Sequence, residues 1–261
     1  MALLVWGYRT ALADPVVRHA EYNLPGYQGT PLTALLISDI HVAGPDMPPA
    51  RLARIVGQIN ALRPDVVLIA GDLVSDKRSA TRSYSMAEAV APLAALRPRI
   101  GTFAVLGNHD HWRDAKEAAA ALGAAGIVLL SNAAKRAGPL AIGGLDDDYT
   151  GRADLPRTLA ALRNVAGVPI LLSHSPDPFP GVPAGPILMV AGHTHCGQIR
   201  LPLIGPLATM SDHGRRYACG LMREDGKTLI VGAGLGTSIA PLRLGAVPDM
   251  WLIRLVPDAP R

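Results

Sequence analysis

Short apolar runs rich in branched residues alternate along the chain with longer segments whose apolar positions recur at helical spacing, a pattern that predicts an α/β domain. Leu32 to Ser38 reads as a strand. Pro48 and Pro49 then open a helix in which Leu52, Ile55, Val56, Ile59 and Leu62 mark one apolar face, because proline fits the first helical turn and the 3.6-residue repeat stacks these positions. Asp65 to Ala70 is the next strand. Ser85 and Glu88 have capping-box spacing ahead of an alanine-rich helix, Thr102 to Leu106 runs as a third strand into GNHD, and Asp114 and Glu117 repeat the capping spacing. Further runs at Ile127 to Leu130, Pro169 to Leu172, Ile187 to Ala191, Leu229 to Val231 and Trp251 to Val256 make the second half strand-rich. The 27 glycines and 23 prolines fall mostly between these runs, as turn punctuation, and neither a linker nor an internal repeat interrupts them.

A chain of 261 residues that is 49% hydrophobic can bury one large core, so a single domain over residues 32–261 is expected, with residues 1–31 as an N-terminal extension. The formal charge of +4 suits an anionic substrate or a membrane surface. The 25 lysines and arginines are scattered, however, and an aromatic content of 4% leaves few stacking platforms, so nucleic acid is not an expected partner. Cys196 and Cys219 cannot build a disulfide framework; a single bridge between them is left open, and they do not fix the redox compartment. The opening MALLVWGYRTALADP is too short to span a bilayer and lacks a basic region before its apolar run, so no transmembrane helix or signal peptide is expected and localisation reads as cytoplasmic or peripheral to a membrane. Leu3, Leu4, Val5 and Trp6 are the remnant of an upstream anchor or an apolar tail packed on the domain.

Polar residues with ligand chemistry follow the carboxyl ends of predicted strands, where α/β sheets gather their binding loops. Five segments do so: SDIH with Asp39 and His41, GD with Asp72, GNHD with Asn108, His109 and Asp110, SHSPD with His174, and GHTH with His193 and His195. A lone Asp after a strand is usually a cap or turn former, and a lone His is usually structural. Five coincidences in order are harder to dismiss, and His193 and His195, one residue apart, send both rings to one side. Carboxylate with imidazole points to manganese, iron or zinc rather than calcium or magnesium. So many ligands suit two ions about 3.5–4 Å apart, with a hydroxide between them poised for in-line attack on phosphorus. Asp72 is the natural bridge, since Gly71 lets the backbone turn tightly before it.

These motifs, in this order and at these intervals, resemble the calcineurin-like metallophosphoesterases from Leu32 to the C-terminus. The tail GAGLGTSIAPLRLGAVPD and the stretch GHTHCGQIRLP look like a bacterial subgroup of membrane-associated phosphoesterases related to UDP-diacylglucosamine pyrophosphatase. The resemblance implies two packed mixed sheets flanked by helices, a four-layer sandwich. It implies that Asp39, His41 and His195 bind one divalent ion, that Asn108, His174 and His193 bind the other, and that Asp72 bridges them. His109 then matches the catalytic histidine that contacts the phosphate with Asn108 and protonates the leaving oxygen, and Asp110 the carboxylate that orients it. The implied activity is hydrolysis of a phosphodiester or pyrophosphate in a small or lipid-linked substrate. A nuclease of the same fold and a non-catalytic interaction module are the alternatives. Cys196 departs from the glycine usual at its position and reads as a buried, inert thiol.

Other features carry less. Asp146, Asp147 and Asp148 read as a solvated turn with one Asp capping a loop. Arg243 is either a phosphate contact or a surface ion-pair partner. GAGLG at 232–236 lacks the following helix of a dinucleotide loop. Residues 199–210, IRLPLIGPLATM, cannot form a regular helix, and their aliphatic side chains must pack on the core or meet a substrate or membrane.

Overall fold

The apolar runs become strands of two six-stranded sheets, all of them central except that of Ile127 to Leu130, which gives an edge strand. The computed structural model describes residues 1–258, so residues 259–261 of the expected domain lie outside the described residues. Helix α1 (Ala2–Leu12) leads into β1 (Val16–Leu24) and β2 (Leu32–Ile37), followed by α2 (Pro49–Ala61), β3 (Val66–Ala70), α3 (Met86–Val90), β4 (Gly101–Val105), α4 (Asn108–Ala124) and β5 (Val128–Leu129). The second half contains β6 (Ala133–Ala137), β7 (Leu140–Gly144), α5 (Leu155–Arg163), β8 (Val168–Leu172) and β9 (Leu188–Ala191). A small hairpin of β10 (Arg200–Leu201) and β11 (Gly205–Pro206) precedes β12 (Gly220–Glu224), β13 (Lys227–Val231) and β14 (Asp249–Pro257).

The first sheet has the order β1-β14-β2-β3-β4-β5, and the second β12-β13-β9-β8-β7-β6. In the first, β2 to β5 are parallel and β14 runs against β2; in the second, β13, β9, β8 and β7 are parallel, with antiparallel edges. Alternation along each strand explains the layers. In β3, Val66 and Leu68 face the second sheet with Leu36, Phe103, Ile142 and Ile170, while Val67 and Ile69 face α2 to α4. On the far side of the second sheet Leu171 and Met189 meet Leu162 of α5 and Phe179. The result is the expected helix–sheet–sheet–helix sandwich. Because parallel strands deliver their carboxyl ends to one edge, β2, β3 and β4 of one sheet and β8 and β9 of the other release their loops together.

Some boundaries differ from expectation. The break at residue 32 is not a structural one, since β1 pairs in parallel with β14 from Val16 to Leu24 and completes the first sheet. Its polar residues reflect an edge strand, which hides it from the hydrophobic pattern. Edge strands β6 and β12 are also polar and escape that pattern, as does α5. The second capping signal holds: Asp114, at φ −170° and ψ 103°, leaves the helical geometry of α4, and its Oδ1 accepts from the amides of Lys116 and Glu117, so it caps a second helical segment that continues from the first across a kink. Among the described residues, no helix is long and apolar enough to cross a membrane.

Candidate metal centre

The five loops converge because their backbones are knitted to one another. Amides of Asp39 and His41 donate to the carbonyls of Gly71 and Asp72, and the amide of His193 donates to both carboxylate oxygens of Asp39, at 3.0 and 3.1 Å. Asp39, His41, Asp72, His193 and His195 all have positive φ, between 47° and 69°. Left-handed backbone costs a side-chain-bearing residue roughly 1–3 kcal/mol, so this cluster is strain concentrated at one place. Gly107 shows how tight the packing is: a Cβ there would overlap the Asp72 carboxylate and come within 2.7 Å of the His174 ring.

Two adjacent groups of ligand-type side chains result. In one, Nε2 of His41 and Nε2 of His195 stand 3.0 Å apart, with Asp39 Oδ1 3.6 Å from the latter. In the other, His174 Nε2 lies 3.0 Å from His193 Nδ1 and 3.1 Å from Asn108 Oδ1. Between them sits Asp72, whose Oδ2 is 3.4 Å from His41 Nε2 and 3.4 Å from His174 Nε2. Its other oxygen accepts the His109 amide.

The ring nitrogens test whether a cation fits. His174 Nδ1–H donates to the carbonyl of Ala70 at 2.7 Å, which leaves a bare lone pair on Nε2. His193 Nε2–H donates to the carbonyl of Met210 at 3.0 Å, which leaves a bare lone pair on Nδ1. Those two bare nitrogens face each other, an arrangement that a proton or a metal ion must reconcile. Protonation behaves accordingly. Burial works against a charged His174, yet the Asp72 and Asp39 carboxylates overcome it and push it up to about 9, while burial and the neighbouring His174 push His193 down to about 3. Burial holds Asp72 well above the usual carboxylate range, with Asp110 and Asp39 adding to it against the pull of His174. Buried carboxylates raised in this way want a cation, and the donor set fits a divalent transition metal.

His109 does not sit as expected. Its partner is Asp76, whose Oδ1 lies 2.5 Å from His109 Nδ1. Asp110 makes no hydrogen bond to the ring; at the third position of α4 its carboxylate accepts from the amides of Asp72, Leu73 and Gly107 and so ties two of the loops together. The sequence offers no special spacing for Asp76. Burial lowers the His109 pKa and Asp76 opposes it. The other ring nitrogen is 3.5 Å from Ser238 Oγ, a second residue that sequence reasoning missed.

Arg243 is neither a phosphate contact nor a surface partner. It is fully buried, and its guanidinium donates to the carbonyls of Ala233, Gly234, Gly236 and Ala246, with Nη2 3.3 Å from His195 Nδ1. Burial lowers its pKa to about 10. Cys196 is not a free thiol but is joined to Cys219 in a disulfide, which closes residues 196–219 into a ring immediately after His195. Asp146 and Asp147 are not simply solvated. Asp146 accepts from His111 and Ser131, and Asp147 is buried with one oxygen capping Thr150.

A cavity of about 440 Å³ opens over the centre. Its floor is polar, with Asp72, Asn108, His109, His193 and His195; its wall is apolar, with Ile199, Leu207, Met210, Ile239 and Leu242, and Trp112 and Tyr149 at the side.

The family model for calcineurin-like phosphoesterases matches residues 32–197, which carry all seven ligand-type residues. The chain belongs to the calcineurin-like phosphoesterase family. Among the chain's relatives, a "Transmembrane protein with metallophosphoesterase domain" from Danio rerio is 33% identical over 97% of the chain and 60% of its own length. The chain thus spans about 60% of that relative. "Phosphodiesterase YaeI" from Escherichia coli (strain K12) is 30% identical over 87% of the chain and 83% of its own length. Among solved structures, a 5'-nucleotidase precursor from Thermus thermophilus is similar with a TM-score of 0.48 and 16% identity, over 87% of this chain and 54% of that one.

Proposed function

We propose that this calcineurin-like phosphoesterase hydrolyses a phosphodiester or pyrophosphate bond in an amphiphilic, lipid-linked substrate taken from a membrane surface. Two divalent ions, manganese foremost with iron or zinc as alternatives, would be held by Asp39, His41 and His195 and by Asn108, His174 and His193, with Asp72 shared. The observation that carries this reading is the position of Asp72 Oδ2, equidistant at 3.4 Å from a ring nitrogen of each set. When bound, such a pair withdraws charge from the phosphoryl oxygens and makes water nucleophilic at neutral pH.

The chain's own residues do the rest. Asn108 and His109 meet the phosphate at the cavity floor, and His109 delivers a proton to the leaving oxygen while Asp76 holds the ring through Nδ1. The apolar wall takes the non-polar part of the substrate. The E. coli relative is named a phosphodiesterase, which favours a diester over a monoester, and the pyrophosphate alternative comes from the tail motif. The zebrafish relative, named a transmembrane protein, supports contact with a membrane. The disulfide beside His195 favours an oxidising compartment over a cytoplasmic one.

Manganese-loaded protein tested on bis-p-nitrophenyl phosphate, p-nitrophenyl phosphate and a lipid-linked pyrophosphate should cleave the diester or the pyrophosphate well above the monoester. Full metal occupancy without turnover of any of the three would sink the enzymatic reading, and monoester preference would sink the substrate class.

A further inference from the structure

Three segments of this chain leave large aliphatic or aromatic side chains in solvent, and one strip of backbone links them. On α1, Leu3, Leu4, Val5 and Trp6 are exposed, with Leu3 at 62%. On the β10–β11 hairpin, Leu203 is fully exposed and Ile204 more than half exposed. Ile239, on the loop after β13, is 78% exposed. The strip 242–244 joins them. The Arg243 amide donates to the carbonyl of Gly7 on one side, and on the other the Arg200 amide donates to the carbonyl of Leu244 at 2.8 Å. Leu242 faces both the groove beneath α1 and the cavity over the metal centre. Large aliphatic and aromatic side chains left in solvent on linked segments mark an interaction surface.

The hairpin adds charge to this surface. Behind it lies a pocket of about 510 Å³ lined by Arg200 and Arg215 together with Leu201, Leu203, Ile204 and Pro206. Each guanidinium is steadied by one backbone carbonyl, Arg200 by Cys196 at 3.0 Å and Arg215 by Pro206 at 3.3 Å. Among the described residues neither has a carboxylate within ion-pairing distance. Two guanidinium forks without counter-charge, set beside aliphatic side chains, match an anionic phosphate with an acyl chain attached.

We propose that α1, the hairpin and the Ile239 loop form one face that docks on a bilayer containing anionic phospholipid, with Arg200 and Arg215 clamping a headgroup phosphate beside Leu203 and Ile204. The face takes a membrane rather than a second copy of the chain, because an isologous dimer buries the same patch of both copies and so would gather the uncompensated guanidiniums of both in one interface. Tyr8 and Arg9 on α1 and Trp6 beside them are residue types that settle at a lipid interface. The inference rests on the amphiphilic-substrate reading only for the step after docking: a lipid entering past Ile239 and Leu242 would reach the polar floor along an apolar wall.

Vesicle binding tests it without turnover, so it stands or falls separately from the phosphoesterase reading. Manganese-loaded full chain is co-sedimented with vesicles of phosphatidylcholine alone and of phosphatidylcholine mixed with phosphatidylglycerol. Binding should be tighter to the anionic vesicles. Arg200→Gln and Arg215→Gln should each weaken that binding about fivefold, the effect of one cation near an anionic surface, and weaken binding to phosphatidylcholine, whose phosphate is offset by its choline, by less. The pair Leu203→Ser and Ile204→Ser, and separately Leu3→Ser with Trp6→Ser, should weaken binding to both vesicles. Melting midpoint and metal content, unchanged in each variant, report an intact fold. Equal binding of the arginine variants and the parent to anionic vesicles would overturn the headgroup clamp. Parent-like binding by either serine pair would overturn the shared face. Absence of vesicle binding with a concentration-dependent dimer in light scattering would replace the membrane with a second copy.

Discussion

His109 Nδ1 lies 2.5 Å from Asp76 Oδ1, whereas Asp110, its neighbour in sequence, spends its carboxylate on three backbone amides. The two carboxylates should therefore fail differently when changed. His109→Ala should lose roughly 10²–10⁴-fold in rate on substrates with poor leaving groups and less on nitrophenol esters, with metal retained. Asp76→Asn should show the same leaving-group dependence in smaller degree. Asp110→Asn should instead lower stability by about 1–3 kcal/mol, because buried amides lose their acceptor. Kinetics on both ester types, with a thermal melt of each variant, separate these roles; the reverse pattern would return the orienting role to Asp110.

Asp72 shares one oxygen between the two nitrogen sets, so Asp72→Ala should empty both metal positions, while His193→Ala should affect chiefly the set it belongs to. Metal analysis after dialysis reads this directly. The parent should also melt at higher temperature with metal than after chelation, by about 2.7 kcal/mol of stability at a free concentration one hundred times the Kd. One ion per chain at saturation, or normal occupancy in Asp72→Ala, would refute the dinuclear assignment.

The Cys196–Cys219 disulfide closes a loop of sequence separation 23 that begins beside His195 and contains Met210, the carbonyl partner of His193. Reduction, or Cys196→Ser with Cys219→Ser, should lower stability by about 3 kcal/mol through the freed chain entropy of the unfolded state. It should also weaken metal affinity, since the Met210 carbonyl would no longer be held against the ring. A titration of metal into reduced and oxidised protein checks the second effect; identical affinities would limit the disulfide to global stability.

Asp146 accepts hydrogen bonds from His111 Nε2 at 2.8 Å, from Ser131 and from the Asp147 amide. Burial raises its pKa, but these bonds from His111, Ser131 and Asp147 outweigh burial and leave it below the usual carboxylate value of 3.8. A carboxylate depressed in the fold contributes stability above its unfolded pKa and loses it as pH falls through the folded one. Asp146→Asn should therefore be destabilised by roughly 1–3 kcal/mol at neutral pH, and parent and variant should converge in acid below that carboxylate value. Urea melts at neutral and acid pH would show it, and a difference that grew on acidification would contradict it.

Much of this molecule is dictated by local pattern. The central strands Val66–Ala70 and Leu188–Ala191 are continuous apolar runs, and Leu32–Ile37 is one but for Thr33, because both their faces are buried, and the ligand-type residues follow such runs. The capping box at Ser85 and Glu88 and the proline-led α2 are equally local, settled by hydrogen bonds and backbone limits within one turn. What the sequence could not determine depends on distant partners. β1 is a strand because β14, more than 230 residues away, offers it an edge; Asp76 serves His109 because α4 carries that ring back over the end of β3. Arg243 reads as a surface cation until four backbone carbonyls surround it, and Cys196 as a free thiol until the returning chain brings Cys219 against it. Charge, thiol chemistry and edge pairing take their meaning from what lies across space, and one-dimensional spacing records only what lies along the chain.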